Sequence, residues 1–147
     1  MAIAALITWL LTAGGGFVLL ASWISKGGTR EQGTTQLPPP VVFGHFLLAV
    51  AGLIVWIIYL VVDEDALAWT AFVLLIPVAL LGFFMLARWL PVYRERAAAG
   101  PPQTRAAAGP QQTAESHFPV AVVAGHGVFA VTTVVLVLLT ALGVGGS

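Results

Sequence analysis

The sequence predicts an all-α fold: a four-helix transmembrane bundle built from two tandem parallel-repeat helical hairpins. Three observations predict it. Hydrophobic residues make up 59% of the 147 and charged residues only 8%, whereas soluble domains carry about 25% charged residues. Four apolar runs are each long enough to cross a hydrocarbon core of about 30 Å, which takes about 20 helical residues. One motif recurs along the chain at a constant offset. Too few charges are available to cover a soluble surface of this size, so a soluble domain, a disordered chain and a nucleic-acid binder are excluded. Net charge is zero and there is no cysteine, which removes bulk-charge arguments about partners, disulfides and thiolate sites.

The residues form a single membrane domain over 1–147. The first span is expected at about 2–24. It has no basic residue before it, and Lys26 and Arg30 follow it, the reverse of signal-peptide charge order; it reads as a retained helix, loosened by Gly14-Gly15-Gly16. A polar loop, Lys26–Pro40, leads to the second span at about 41–62. The very short acidic turn Asp63-Glu64-Asp65 implies a tight hairpin with the third span, about 66–90, in which Pro77 predicts a kink. Residues 91–117 form a long connection. Its low-complexity part, 97–116, reads as a flexible loop, and the fourth span follows at about 118–143. Backbone groups have no water to bond in lipid, so these spans are helices although Val, Ile and Phe are frequent in them.

All six cations, Lys26, Arg30, Arg88, Arg94, Arg96 and Arg105, fall at one end of the predicted bundle. The excess of positive charge in cytoplasmic loops then predicts a multi-pass protein of the cell membrane. Both termini and the acidic turn would be extracytoplasmic, and loops 25–40 and 91–117 cytoplasmic. Trp23, Trp89 and Trp69 fall at predicted boundaries, where indoles anchor at the interface.

The recurring motif is G-F-x-x-L-A-x-W, at Gly16–Trp23 and again at Gly82–Trp89. Pro40-Val41 followed by Gly44-His45 matches Pro119-Val120 followed by Gly125-His126, and Ala49-Val50 matches Ala130-Val131. Helices one and three run in the same direction, as do two and four, which makes a parallel repeat with its axis along the membrane normal.

The chemistry concentrates on two histidines. His45 and His126 lie inside apolar spans at similar depth, and a buried ionisable residue there points to function. Ala49 and Gly52 share the face of His45, and Ala130 and Thr133 that of His126. Small neighbours leave room for something flat. Two inward histidines on facing helices are the usual ligands of a b-type haem, so His45 and His126 would hold its iron. Arg88, with Lys26, Arg94 and Arg96, would meet the propionates. A bland reading stands beside this one: the histidines bond carbonyls of neighbouring helices, and Gly125 and Gly127 form a close-packing seam. His117 lies at the boundary and reads as solvated. Asp63, Glu64 and Asp65 cannot converge on one hard cation. Thr8, Thr12, Thr132, Thr133 and Thr140 are expected to bond their own helix carbonyls.

No intramembrane carboxylate is available for ion coupling, and no catalytic triad or phosphate-binding loop is present, so the chain is not expected to be an enzyme on its own. The Ala/Val-rich helices, the Gly-His near each even-helix start and the Arg/Ala/Pro linker resemble small four-helix membrane proteins of actinobacterial type, a likeness that implies no activity. The paired-His, four-helix outline is also similar to membrane cytochrome b subunits. That resemblance implies haem ligation by two histidines, and the single deep pair here allows at most one haem. The expected function is an electron-transfer or respiratory-complex subunit binding one haem b. The alternative is a non-catalytic accessory or scaffold subunit with structural histidines. Either would sit in the lipid bilayer with a larger membrane protein complex or as a homo-oligomer. A small-solute channel is disfavoured by the absence of polar stripes.

Overall fold

The computed structural model describes residues 1–30, 34–98 and 113–144. These form four α-helices: α1 (Ala2–Ser25), α2 (Pro39–Val62), α3 (Asp65–Ala98) and α4 (Val120–Ala141). A short 3-10 turn, Ala114–His117, leads into α4, and no strand occurs among the described residues. All four helices are long and apolar enough to cross a membrane, and the chain is a multi-pass membrane protein.

Local chemistry explains the helix ends. Pro39 and Pro40 occupy the first turn of α2, where no intrahelical partner exists for an N–H and the fixed φ suits the helix. Asp63 adopts a left-handed conformation (φ 55°) and its N–H bonds the Tyr59 carbonyl, stopping α2. Asp65 then opens α3, its carboxylate beside the positive end of the helix dipole. The expected tight acidic hairpin is present.

Two helices run without a break through their glycine and proline positions. Gly14-Gly15-Gly16 remain inside an unbroken α1. Helix α3 runs through both Pro77 and Pro91 for 34 residues, about 51 Å at 1.5 Å per residue, so it projects well beyond the hydrocarbon core. The expected loop over 97–116 is accordingly smaller. Ala97 and Ala98 belong to α3, residues 113–116 are folded, and 99–112 lie outside the described residues.

Helix α1 packs mainly on α4, and α2 on α3. At the end holding the acidic turn, Ala5, Trp9, Trp56, Tyr59, Ala68, Ala71, Leu75, Val78 and Val137 form the larger core. Alanines at these contacts let helices approach closely. The outward residues, such as Leu47, Leu80, Phe83 and Val128, are large and apolar, as lipid contact requires.

At the opposite end a smaller core forms around Trp23, Leu37 and Ala114. Glu115 organises it. This carboxylate is fully buried; Oε1 accepts the Gln36 N–H (2.6 Å) and Oε2 the Thr35 hydroxyl (2.8 Å). The Thr35 oxygen in turn accepts the Trp23 indole N–H at 2.9 Å and the Leu37 N–H at 3.0 Å. The Ala114 N–H donates to the Thr34 carbonyl (2.8 Å). Trp23 is therefore a core residue, 1% exposed, and not the interfacial anchor expected; Trp89 is also buried, while Trp69 is exposed. Glu115→Ala would strand a buried hydroxyl and N–H, at a cost of about 1–3 kcal/mol for each group left unsatisfied. Its unfolding in a detergent titration is expected to shift by about 3 kcal/mol, with faster proteolysis of the α1–α2 loop, whereas Glu115→Gln should lose less.

Candidate functional site

Both span histidines sit in the layer between the two cores. His45 on α2 and His126 on α4 face each other, with ring centroids 6.3 Å apart and planes at 55°. Each ring is anchored on the helix that packs most closely against its own, α3 for α2 and α1 for α4. His45 Nδ1 lies 2.9 Å from the Val78 carbonyl of α3, and His126 Nδ1 lies 2.8 Å from the Thr12 carbonyl of α1. A carbonyl can only accept, so Nδ1 carries the proton and donates in both. In the neutral rings Nε2 is then left with a lone pair.

Glycines make this seating possible. A Cβ at Gly16 would stand 3.2 Å from His126 Cε1, and one at Gly82 would stand 3.3 Å from His45 Cε1. Gly15 also lies under His126, with its added Cβ 3.4 Å from His126 Cβ. In each half the ring lies over a glycine and reaches the carbonyl one helical turn earlier. Thr12 and Val78 are related by the same offset as Gly16 and Gly82. The motif glycine on α1 is thus the seat for His126 of α4, and the one on α3 the seat for His45 of α2. Gly16→Val and Gly82→Val should each push a ring off its carbonyl, costing about 1–3 kcal/mol as overpacking. Thermal denaturation in detergent should show similar losses for the two.

The remaining predicted residues divide. Gly52 is buried, but an added Cβ there would lie 3.1 Å from the Trp9 ring. Thr133 is buried, and its hydroxyl reaches both the Thr8 oxygen (3.0 Å) and the Phe129 carbonyl (2.8 Å). The room expected at Gly52 and Thr133 is therefore filled by α1. Ala49 and Ala130 are half-buried, Ala49 against the larger core. Arg88 is not beside the rings. It lies nearer the cation-bearing end, donating to the Gln36 carbonyl (3.0 Å) with its guanidinium 5.1 Å from the Phe84 ring centroid. Gly125 and Gly127 do not form a close-packing seam, since an added Cβ at either meets nothing within 4 Å. His117 belongs to the 3-10 turn, away from the pair.

The threonines behave as expected of residues in apolar helices: Thr8, Thr12, Thr132, Thr133 and Thr140 all bond carbonyls of their own helices. Sequence reasoning missed Gly82 and Gly16 as ring seats. They were visible as motif positions, but nothing along the chain names the helix that packs there.

Among the described residues no group of three or more His, Asp or Glu could hold a metal ion. A bare zinc, which takes four ligands, is therefore not provided for. Among the described residues the pair supplies two imidazoles whose Nδ1 atoms are held by carbonyls. Compared with protein-family models, curated proteins and solved structures, the chain has no match.

Proposed function

We propose that the protein is an electron-transfer subunit of the cell membrane that holds one b-type haem between His45 and His126. The observation that carries this reading is the pair of opposed rings, each with Nδ1 committed to a backbone carbonyl and Nε2 available. Metal-binding histidines are oriented in this way, the second nitrogen donating to a carbonyl or carboxylate. The spacing also suits a shared metal: two bonds of about 2 Å, plus about 1.1 Å from each nitrogen to its ring centre, give about 6 Å. A macrocycle brings its own four equatorial nitrogens, so it needs from the protein only the two axial ligands that this layer offers. Half-buried Gly125 faces open space, where a flat group could extend. Arg88, Lys26 and Arg94 lie toward the end where propionates would meet cations.

A haem held there would supply one-electron transfer. The chain's residues fix the two imidazoles, exclude water from the layer through Trp9 and Trp56 on one side, and close the other with the Glu115 network. The two hairpins are best read as copies, because Gly16 and Gly82 seat His126 and His45 in the same way. The cations gathered at that end favour a cytoplasmic location for it. With no extramembrane domain among its described residues, the protein would pass electrons within a larger membrane complex.

A reduced-minus-oxidised absorption spectrum of the purified protein tests the reading, with Soret and α bands of a low-spin haem as the expected result. The same two carbonyl bonds favour one other reading. In lipid they satisfy two polar rings and fasten α2 to α3 and α4 to α1, as in an accessory subunit with structural histidines. That protein would be colourless and would co-purify with a stable partner.

A further inference from the structure

The geometry points to a second site, independent of the haem reading: we infer that the groove between the end of α3 and the start of α4 binds the phosphate headgroup of an anionic phospholipid. Its volume is about 370 Å³, and Trp89, Tyr93, Arg96, Ser116, His117 and Val120 are among the residues that line it.

Three kinds of group converge there. Arg96 is exposed, and its guanidinium is fixed by donation to the Ser116 carbonyl, which leaves most of its five N–H donors for another acceptor. His117 lies beside it, its Nδ1 3.3 Å from the Ser116 hydroxyl and its Nε2 with no hydrogen bond among the described residues. Helix α4 begins in the same groove with no side-chain cap; the Val122 and Val123 N–H groups bond the Pro119 carbonyl, and those of Val120 and Ala121 precede the first intrahelical acceptor. Anions suit that end of a helix, and arginine binds phosphate through charge-assisted paired bonds.

The floor of the groove separates a lipid from a soluble anion. Trp89 and Tyr93 stack with centroids 5.2 Å apart and planes at 21°, a flat apolar surface at the boundary where the α3 apolar run ends. Tyr93 and Val120 are exposed at its edge, beside the lipid-facing surface. A phosphodiester with acyl chains would meet the cation above and the aromatic and apolar edge below. Basic pockets between membrane helices recognise anionic headgroups in this manner.

The test is native mass spectrometry of the full chain in mild detergent, titrated with phosphatidylglycerol, with phosphatidylcholine, or with inorganic phosphate as competitor. One phosphatidylglycerol should be retained per chain, in preference to phosphatidylcholine. Arg96→Gln should weaken it about fivefold, the equivalent of about 1 kcal/mol for one surface cation. Arg96→Lys should recover part of the binding, and Arg30→Gln, at the same end but outside the groove, should leave it unchanged. Equal retention of both lipids, or no change in Arg96→Gln, would overturn the proposal. Displacement of the lipid by inorganic phosphate at equal strength would overturn it too, by assigning the groove to a free anion.

Discussion

His45→Ala and His126→Ala are each expected to abolish haem retention while leaving the protein folded. Among the described residues the two rings are the only imidazoles in this layer, so under the proposal neither variant could hold an iron from both sides. Loss of an orienting group around a metal ligand costs about 10–100-fold in affinity, and loss of the ligand itself should exceed about 100-fold. Folding should survive, because each ring contributes one bond to a carbonyl, about 1 kcal/mol net. Absorption at the Soret band, normalised to protein after size-exclusion, checks this. Equal loss in the two variants is the expected outcome, since the seats at Gly16 and Gly82 are equivalent. A haem that survived either change would remove that histidine from the site.

Gly28→Ala is expected to be the most destabilising small substitution in the chain. A Cβ at this position would lie well inside van der Waals contact with Cε2, Cδ2 and Nε1 of Trp23. The indole is 1% exposed and tied to Thr35, so it cannot move aside without dismantling the smaller core. Overpacking commonly costs about 1–3 kcal/mol. With the Thr35 and Glu115 bonds also disturbed, about 3 kcal/mol or more is expected in detergent-induced unfolding. Trp23→Phe, which shrinks the buried ring system and removes the N–H donor to Thr35 without forcing a clash, should cost less. The reverse order would mean that the Gly28 backbone, and not the indole, sets the geometry.

The spans were legible because one physical requirement, about 20 apolar residues with internally bonded backbone, dominates all others in lipid. The acidic hairpin was legible for a similar local reason, since three residues leave no other path. The histidines were legible by their cost at that depth. Their seats were not, because the shared motif matches Gly16 with Gly82 along the chain but does not say that Gly16 meets His126 and Gly82 meets His45. Helix-face arithmetic placed Gly52 and Thr133 beside the histidines, yet it carries no information about the opposing helix, which fills those positions with Trp9 and Thr8. Glu115 was hidden for a further reason. It sits at the end of a low-complexity stretch, and what orders it are partners about 80 positions away in sequence, Thr35 and Gln36. Trp23 looked like a boundary indole because its position along the span is that of one, while its burial depends on the same distant contacts.

The most direct test of the central claim is the haem content of the purified wild-type protein, counted against polypeptide. One haem per chain, low-spin in both redox states, is the predicted result. A folded, monodisperse protein with no haem, or with one haem shared between two chains, would contradict the assignment of His45 and His126 as a ligand pair within one bundle.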